Sequence, residues 1–268
     1  GGGITALNVM DSAVIVLNGQ HGIEVGTRNQ IRQCEKLNKP VVFAVNQLDK
    51  DAADFDKVFE QLKETYGGKA VRIQYPINVG PSFNAVIDVL LMKMYSWKPE
   101  GGAPDISEIP ASEMEKAEEL HQILVEAAAE NDESLMEKFF EEGSLTEDDM
   151  RLGIRKGLVA NGIYPVFCVC ASRDMGVRRM MEFLGNVLPG VQDMPKPKNT
   201  EGKEIAPDSS APTSLFVFKT TVEPHIGEVF YFKVMSGKIK EGDDLENEDR
   251  GSKERLAQLY VVAGQNRT

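Results

Sequence analysis

The stretch that most constrains this chain is residues 40–49, PVVFAVNQLD. Val41 to Val45 form an unbroken apolar run, followed at once by Asn46, Gln47, Leu48 and Asp49. A short run of β-branched and aromatic residues without alternation reads as a strand buried on both faces. Its polar end then falls where open α/β sheets bind ligands, at the carboxyl ends of the strands. Asn46 and Asp49 carry chemistry suited to guanine. A carboxylate accepts from both N1–H and the exocyclic amine of that base, and an amide can face O6 and N7. Adenine offers an unprotonated N1 and no C2 amine, so the same carboxylate would face an acceptor. The N-x-x-D spacing is common by chance, and its place directly after a strand gives it meaning.

Taken in order, residues 3–9 read as the tail of a helix. Residues 11–18 (DSAVIVLN) read as a second buried strand ending at Asn18-Gly19. Val25, Ile31, Cys34 and Leu37 then follow at loosely helical spacing. Strand, helix and strand within about thirty residues make a parallel crossover unit. Phe55, Val58, Phe59, Leu62 and Tyr66 mark one apolar helix face, stopped at Gly67-Gly68. From Lys69 the rhythm changes. AVRIQYPIN reads as a strand, residues 83–95 are apolar and of ambiguous type, and residues 99–110 form a Gly/Pro-rich loop. Three helices are expected next, with capping boxes at Ser112/Glu115 and Ser134/Glu137 and a weaker one at Thr146/Asp149. Their apolar stripes are Met114, Ala117, Leu120 and Leu124, then Leu135, Met136, Phe139 and Phe140, then Met150, Ile154 and Leu158. Acidic runs such as 113–119 and 141–149 read as solvated helix faces. Residues 164–171 (YPVFCVCA) return to the buried-strand pattern. Gly176 opens a helix with Val177, Met180, Leu184 and Leu188 inward, closed by Pro189. Residues 195–212 read as a linker. Beyond it the period becomes two: strands at 215–220 and 228–235, a short strand within SGKIKEGD (236–243), and a further one at 257–262. His225 reads as a surface loop residue.

The fold class that follows is α/β: a partial Rossmann-like parallel sheet with an α+β insertion, then the start of an antiparallel β-barrel. At 268 residues the chain is long enough for one large domain or two ordinary ones. It has no long apolar span and no signal-peptide pattern, so it reads as soluble and cytoplasmic, with no membrane partner. A net charge of −12 argues against direct binding of free nucleic acid, which needs a basic footprint. Three cysteines, Cys34, Cys168 and Cys170, without a C-x-x-C pair, read as buried reduced thiols rather than zinc ligands.

Phosphate chemistry needs a G-x-x-x-x-G-K-[ST] loop, whose amides and Lys hold phosphates and whose hydroxyl holds Mg²⁺. No such sequence occurs in these residues, and Gly1-Gly2-Gly3 lacks the Lys and the hydroxyl. His21, His121 and His225 have no neighbours that make a nucleophile–base set. No catalytic residue and no metal ligand is assigned.

The stretch N-Q-L-D resembles the N-K-x-D base-reading motif of translational GTPases, with Gln47 in place of the family's Lys. Two longer stretches, LVEAAAENDESLMEKFFEEGSLTEDDMRLGIRKG (124–157) and FKTTVEPHIGEVFYFKVMSGKIKEGD (218–243), look very like elongation factor G, and the resemblance runs nearly end to end. It implies that Cys170-Ala171-Ser172 stands for the family's S-A-K-type turn, whose backbone N–H meets guanine O6. Cys170 then replaces a Ser. The base-binding residues implied are Asn46, Gln47, Asp49, Cys170, Ala171 and Ser172.

The resemblance also implies a domain plan. Residues 1–68 and 164–192 would be the C-terminal part of a GTPase domain, 69–163 an insertion subdomain, 193–212 a linker, and 213–268 an incomplete barrel. The cofactor implied is GTP or GDP with Mg²⁺ in a full-length parent, with none expected on these residues alone. The family's D-x-P-G is also absent, so this stretch should not hydrolyse GTP by itself. The partner implied is the ribosome, through the full-length protein. In the absence of a neighbouring strand, the 14–17 strand is expected to be an open edge and a self-association surface. A ribosomal protection protein, a release-factor GTPase, a nucleotide- or ribosome-binding paralogue with little hydrolysis, and a purely structural module are the alternatives.

Overall fold

A computed structural model describes residues 2–264, 266 and 267, and the chain falls into two units, Gly1–Met194 and Pro195–Thr268. The first unit begins with helix α1 (Gly2–Leu7), strand β1 (Ala13–Asn18), helix α2 (Val25–Lys36), strand β2 (Val41–Asn46) and helix α3 (Phe55–Tyr66). Strand β3 (Ala70–Arg72) follows. Next comes an antiparallel set: β4 (Gln74–Pro76), β5 (Ala85–Asp88), β6 (Lys93–Ser96) and β7 (Asp105–Ser107). Helices α4 (Ala111–Ala129), α5 (Glu133–Glu142) and α6 (Glu147–Val159) lead to strand β8 (Tyr164–Cys168) and helix α7 (Val177–Val187).

The main sheet has the order β1-β2-β8-β3, and all of its pairings are parallel. Every residue from Val41 to Val45 and from Tyr164 to Cys168 is buried, as unbroken apolar runs demand of central strands. Strand β1 is different. Val14 and Val16 are exposed while Ile15 and Leu17 are buried, so one face of β1 is covered and the other open; among the described residues β1 pairs with β2 alone and lies at the sheet's edge. The segment AVRIQYPIN is not one strand. Its first three residues complete the main sheet, and after Ile73 the chain turns into β4 of a second sheet, ordered β4-β5-β6-β7. The ambiguous 83–95 segment is the β5–β6 hairpin.

Two expected capping boxes are absent. Helix α4 starts two residues earlier, after Pro110 and without a side-chain cap, and α5 is capped by Asp132, whose carboxylate accepts the Leu135 N–H at 3.1 Å. Ser134 instead donates to Asp132 at 2.5 Å. The Thr146/Asp149 box is present. Val25 and Phe140, placed in apolar stripes by spacing, are exposed. On α7 the buried positions are Arg179, Phe183 and Val187, with Met180, Leu184 and Leu188 packed beside them.

The second unit contains the hairpin β9 (Ser214–Glu223) and β10 (Gly227–Ser236), turned at Pro224–Ile226 with His225 exposed. A second hairpin pairs β11 (Asp244–Asn247) with β12 (Ser252–Arg255). Residues 237–243 carry no strand, and Gly237 and Gly242, both at positive φ, break the extended run. Of residues 257–262 only Val262 is extended in a ladder, in the short strand Val262–Ala263.

Candidate functional site

Parallel register places Asn18 beside Asn46 at the carboxyl ends of β1 and β2, and Val45 beside Cys168 at the end of β8. The three chain segments leaving these ends meet at one rim of the sheet. There Oδ1 of Asn46 accepts the Ala171 backbone N–H at 3.0 Å. The two expected site segments are therefore in direct contact, and the Ala171 donor is engaged by Asn46 within the protein.

Asp49 lies in the turn 47–50, closed by the Lys50 N–H donating to the Gln47 carbonyl at 3.1 Å, and the fully buried Leu48 pins that turn to the core. The Asp49 residue is 6% exposed, and its Oδ1 has no hydrogen-bond partner. Oδ2 lies 3.5 Å from Nζ of Lys50 and 3.6 Å from Nε of Arg173, both longer than a charge-assisted hydrogen bond. A buried acceptor without a donor costs about 1–3 kcal/mol. That makes Asp49 a group suited to an incoming N–H donor.

Gln47 takes a left-handed conformation, φ +62°, and its Oε1 accepts from Nδ2 of Asn18 at 2.6 Å. Oδ1 of Asn18 in turn accepts the Gln20 N–H at 2.8 Å. The uncharged Gln47 is thus held by an amide on the neighbouring strand. Cys170 is buried, and its Sγ lies 3.4 Å from Oγ of Ser172. Burial holds its thiol above the usual value; the hydrogen bond with Ser172 works against that, and the thiol's own hydrogen bond to the Asp49 carboxylate and that group's charge reinforce it. Ala171 and Ser172 are exposed. Gly176 begins α7 with φ +78°, and a Cβ there would overlap the Cys168 carbonyl, so only glycine closes this turn so tightly against β8.

Asn18, Lys50 and Arg173 belong to this rim and were not legible from spacing. Asn18 looked like the end of a strand, and a basic residue in a loop has no period to mark it. Among the described residues, no group of three or more His, Cys, Asp or Glu can hold a metal ion, and no helix is long and apolar enough to cross a membrane.

The family model described as the elongation factor Tu GTP binding domain matches residues 3–190, and that described as elongation factor G domain 2 matches residues 212–268. A crystal structure of a protein from Thermus thermophilus is similar to 99% of this chain, with TM-score 0.81 and 28% identity. This chain spans 37% of that protein's length. Sequence pattern, sheet topology and both family models agree: the chain belongs to the elongation factor Tu GTP binding domain family and resembles elongation factor G.

Proposed function

We propose that these residues form the guanine-reading part of an elongation factor G-like GTPase that promotes ribosomal translocation. Phosphates and Mg²⁺ would be held by residues this 268-residue sequence does not contain. The observation that carries the reading is the buried, unpartnered Oδ1 of Asp49 beside the Asn46–Ala171 contact, at the carboxyl rim of a parallel sheet. Asp49 would accept from the base, Asn46 would face its O6/N7 edge, and Ala171 would exchange its bond to Asn46 for one to the base. Gln47, Cys170 and Ser172 would shape the walls. The domain plan read from the sequence is part of this proposal, as is a cytoplasmic setting with the ribosome as partner. Self-association through the open edge of β1 is supported by exposed Val14 and Val16. Sedimentation that shows no concentration dependence would remove it.

The test is calorimetric titration of GDP and ADP, with Mg²⁺, into this chain and into a version carrying preceding sequence. Selective GDP binding by the longer protein, lost in Asp49→Ala, supports the reading. A longer protein that ignores GDP overturns it and favours a ribosome-binding or structural role.

A further inference from the structure

The Cys170-Ala171-Ser172 turn is held by the insertion from two sides. On the inner side, Oε1 of Gln74, on β4, accepts the Cys168 N–H at 3.4 Å. Nε2 of the same Gln74 donates to Oδ2 of Asp88 at 3.3 Å, and Nε of Arg179, on α7, reaches that oxygen at 2.8 Å. Strand β8, which leads into the turn, and helix α7, which leads out of it, are both anchored through one carboxylate of β5.

On the outer side, the loop 98–102 between β6 and β7 lies against the turn. The Gly102 N–H donates to the Arg173 carbonyl at 3.3 Å. Gly101, at φ +79°, has that carbonyl against its Cα. A Cβ there would overlap the oxygen, lie 2.7 Å from the carbonyl carbon and 3.2 Å from the Arg173 Cβ. Backbone cannot yield as a flexible side-chain end can. Arg173 is two residues from Ala171, whose N–H is bonded to Asn46, and its own guanidinium faces Asp49. Moving the Arg173 carbonyl therefore disturbs both elements of the rim together.

We propose that the insertion clamps the base-reading turn, with Gly101 as the positioning residue through which loop 98–102 sets the preference for guanine. This rests on the guanine reading of Asn46 and Asp49. Contact with Arg173 is the route, so the effect depends on the Cβ at position 101 and not on loss of stability in general.

The test compares Gly101→Ala with Gly143→Ala. Gly143 is also in the insertion, at φ +72°, but nothing lies within 4 Å of its added Cβ. Both changes carry the same kind of backbone penalty and only one pushes on the turn. Amide exchange of Ala171 is read on this chain without nucleotide, and the GDP-to-ADP affinity ratio on a longer protein that binds GDP. Gly101→Ala should speed Ala171 exchange and lower the ratio, each by about tenfold, while Gly143→Ala moves neither. Equal Ala171 exchange in the two variants overturns the clamp. Lack of GDP preference in the unmodified longer protein overturns the guanine reading instead, and the exchange result still decides the clamp. If Gly101→Ala fails to fold, Gln74→Met, which removes the inner hold, replaces it: unchanged exchange at Cys168 and Ala171 is then the overturning result.

Discussion

Ala171 donates its backbone N–H to Oδ1 of Asn46 at 3.0 Å, a bond between residues 125 positions apart. It joins the end of β2 to the turn after β8, so the rim does not depend on a ligand to bring its two halves together. Asn46→Ala removes the acceptor. The expected outcome is a loss of about 1 kcal/mol in stability, with faster exchange at the Ala171 amide and unchanged protection from Val41 to Val45. Hydrogen exchange resolved by residue checks this; an Ala171 amide that exchanges as before would mean the bond carries no weight in solution.

The three cysteines should be silent in the native chain. Cys34, Cys168 and Cys170 are free and buried, and burial is the largest cause holding each thiol above its ordinary value. The thiolate is the nucleophile, so a raised value means less of it at any given pH. A thiol reagent at about pH 8, near the ordinary thiol value, should find no fast-reacting group in the folded protein and three after denaturation. A fast native reaction assigned to Cys170 would mean that the turn opens far more often than its packing implies.

Strands β2 and β8 could be read from sequence because both their faces are covered, and a short unbroken run rich in β-branched and aromatic residues favours a strand over a buried helix. The same pattern misled for β1. An edge strand of a parallel sheet uses the same residue types, and exposure of Val14 and Val16 follows only from which neighbours are present. Caps were legible where side chain and backbone geometry agreed, as at Thr146. Ser112 and Ser134 match the same pattern, but Pro110 and Asp132 stand just upstream and take the helix start. Asn46 and Asp49 were visible as chemistry after a strand. Arg173, Gly101 and Arg179 were not, because each is defined by a contact with a distant segment that local spacing does not encode.

Acid should weaken helices α5 and α6 first. Lys138 beside Asp149, and then the Thr146 hydroxyl, hold the Asp149 carboxyl below its ordinary value of 3.8. Lys156, followed by Ser134 and the Leu135 N–H, lowers Asp132 likewise. A carboxyl whose folded value is depressed adds stability that is complete above the unfolded value and lost as pH falls through the folded one. The loss therefore begins as pH drops below about 4 and continues to lower pH. Asp149→Asn keeps an oxygen for Thr146 but cannot titrate. Its unfolding midpoint should fall relative to wild type at about pH 7 and approach it at about pH 3; parallel curves over that range would contradict the assignment.

Arg179 and Asp88 form an ion pair with side chains 2% and 0% exposed, at 2.8 Å, between α7 and the end of β5. Asp88 Oδ1 also accepts the Leu90 and Leu91 N–H groups at 3.1 and 2.9 Å, so the carboxylate is well satisfied only while the arginine is present to balance its charge. Taking two charges out of water offsets much of their attraction, so the pair is weak evidence of net stability. Breaking it is another matter, since one buried charge is then left alone. Arg179→Met should destabilise the unit by about 3–5 kcal/mol, read by urea unfolding through the fluorescence of buried Trp97. Adding Asp88→Asn removes the stranded charge and keeps an oxygen for both N–H groups. The double variant should therefore recover part of the loss, with a coupling of at least about 1 kcal/mol. Additive losses would mean that the two residues stabilise the unit independently and that the pair does not fasten α7 to β5.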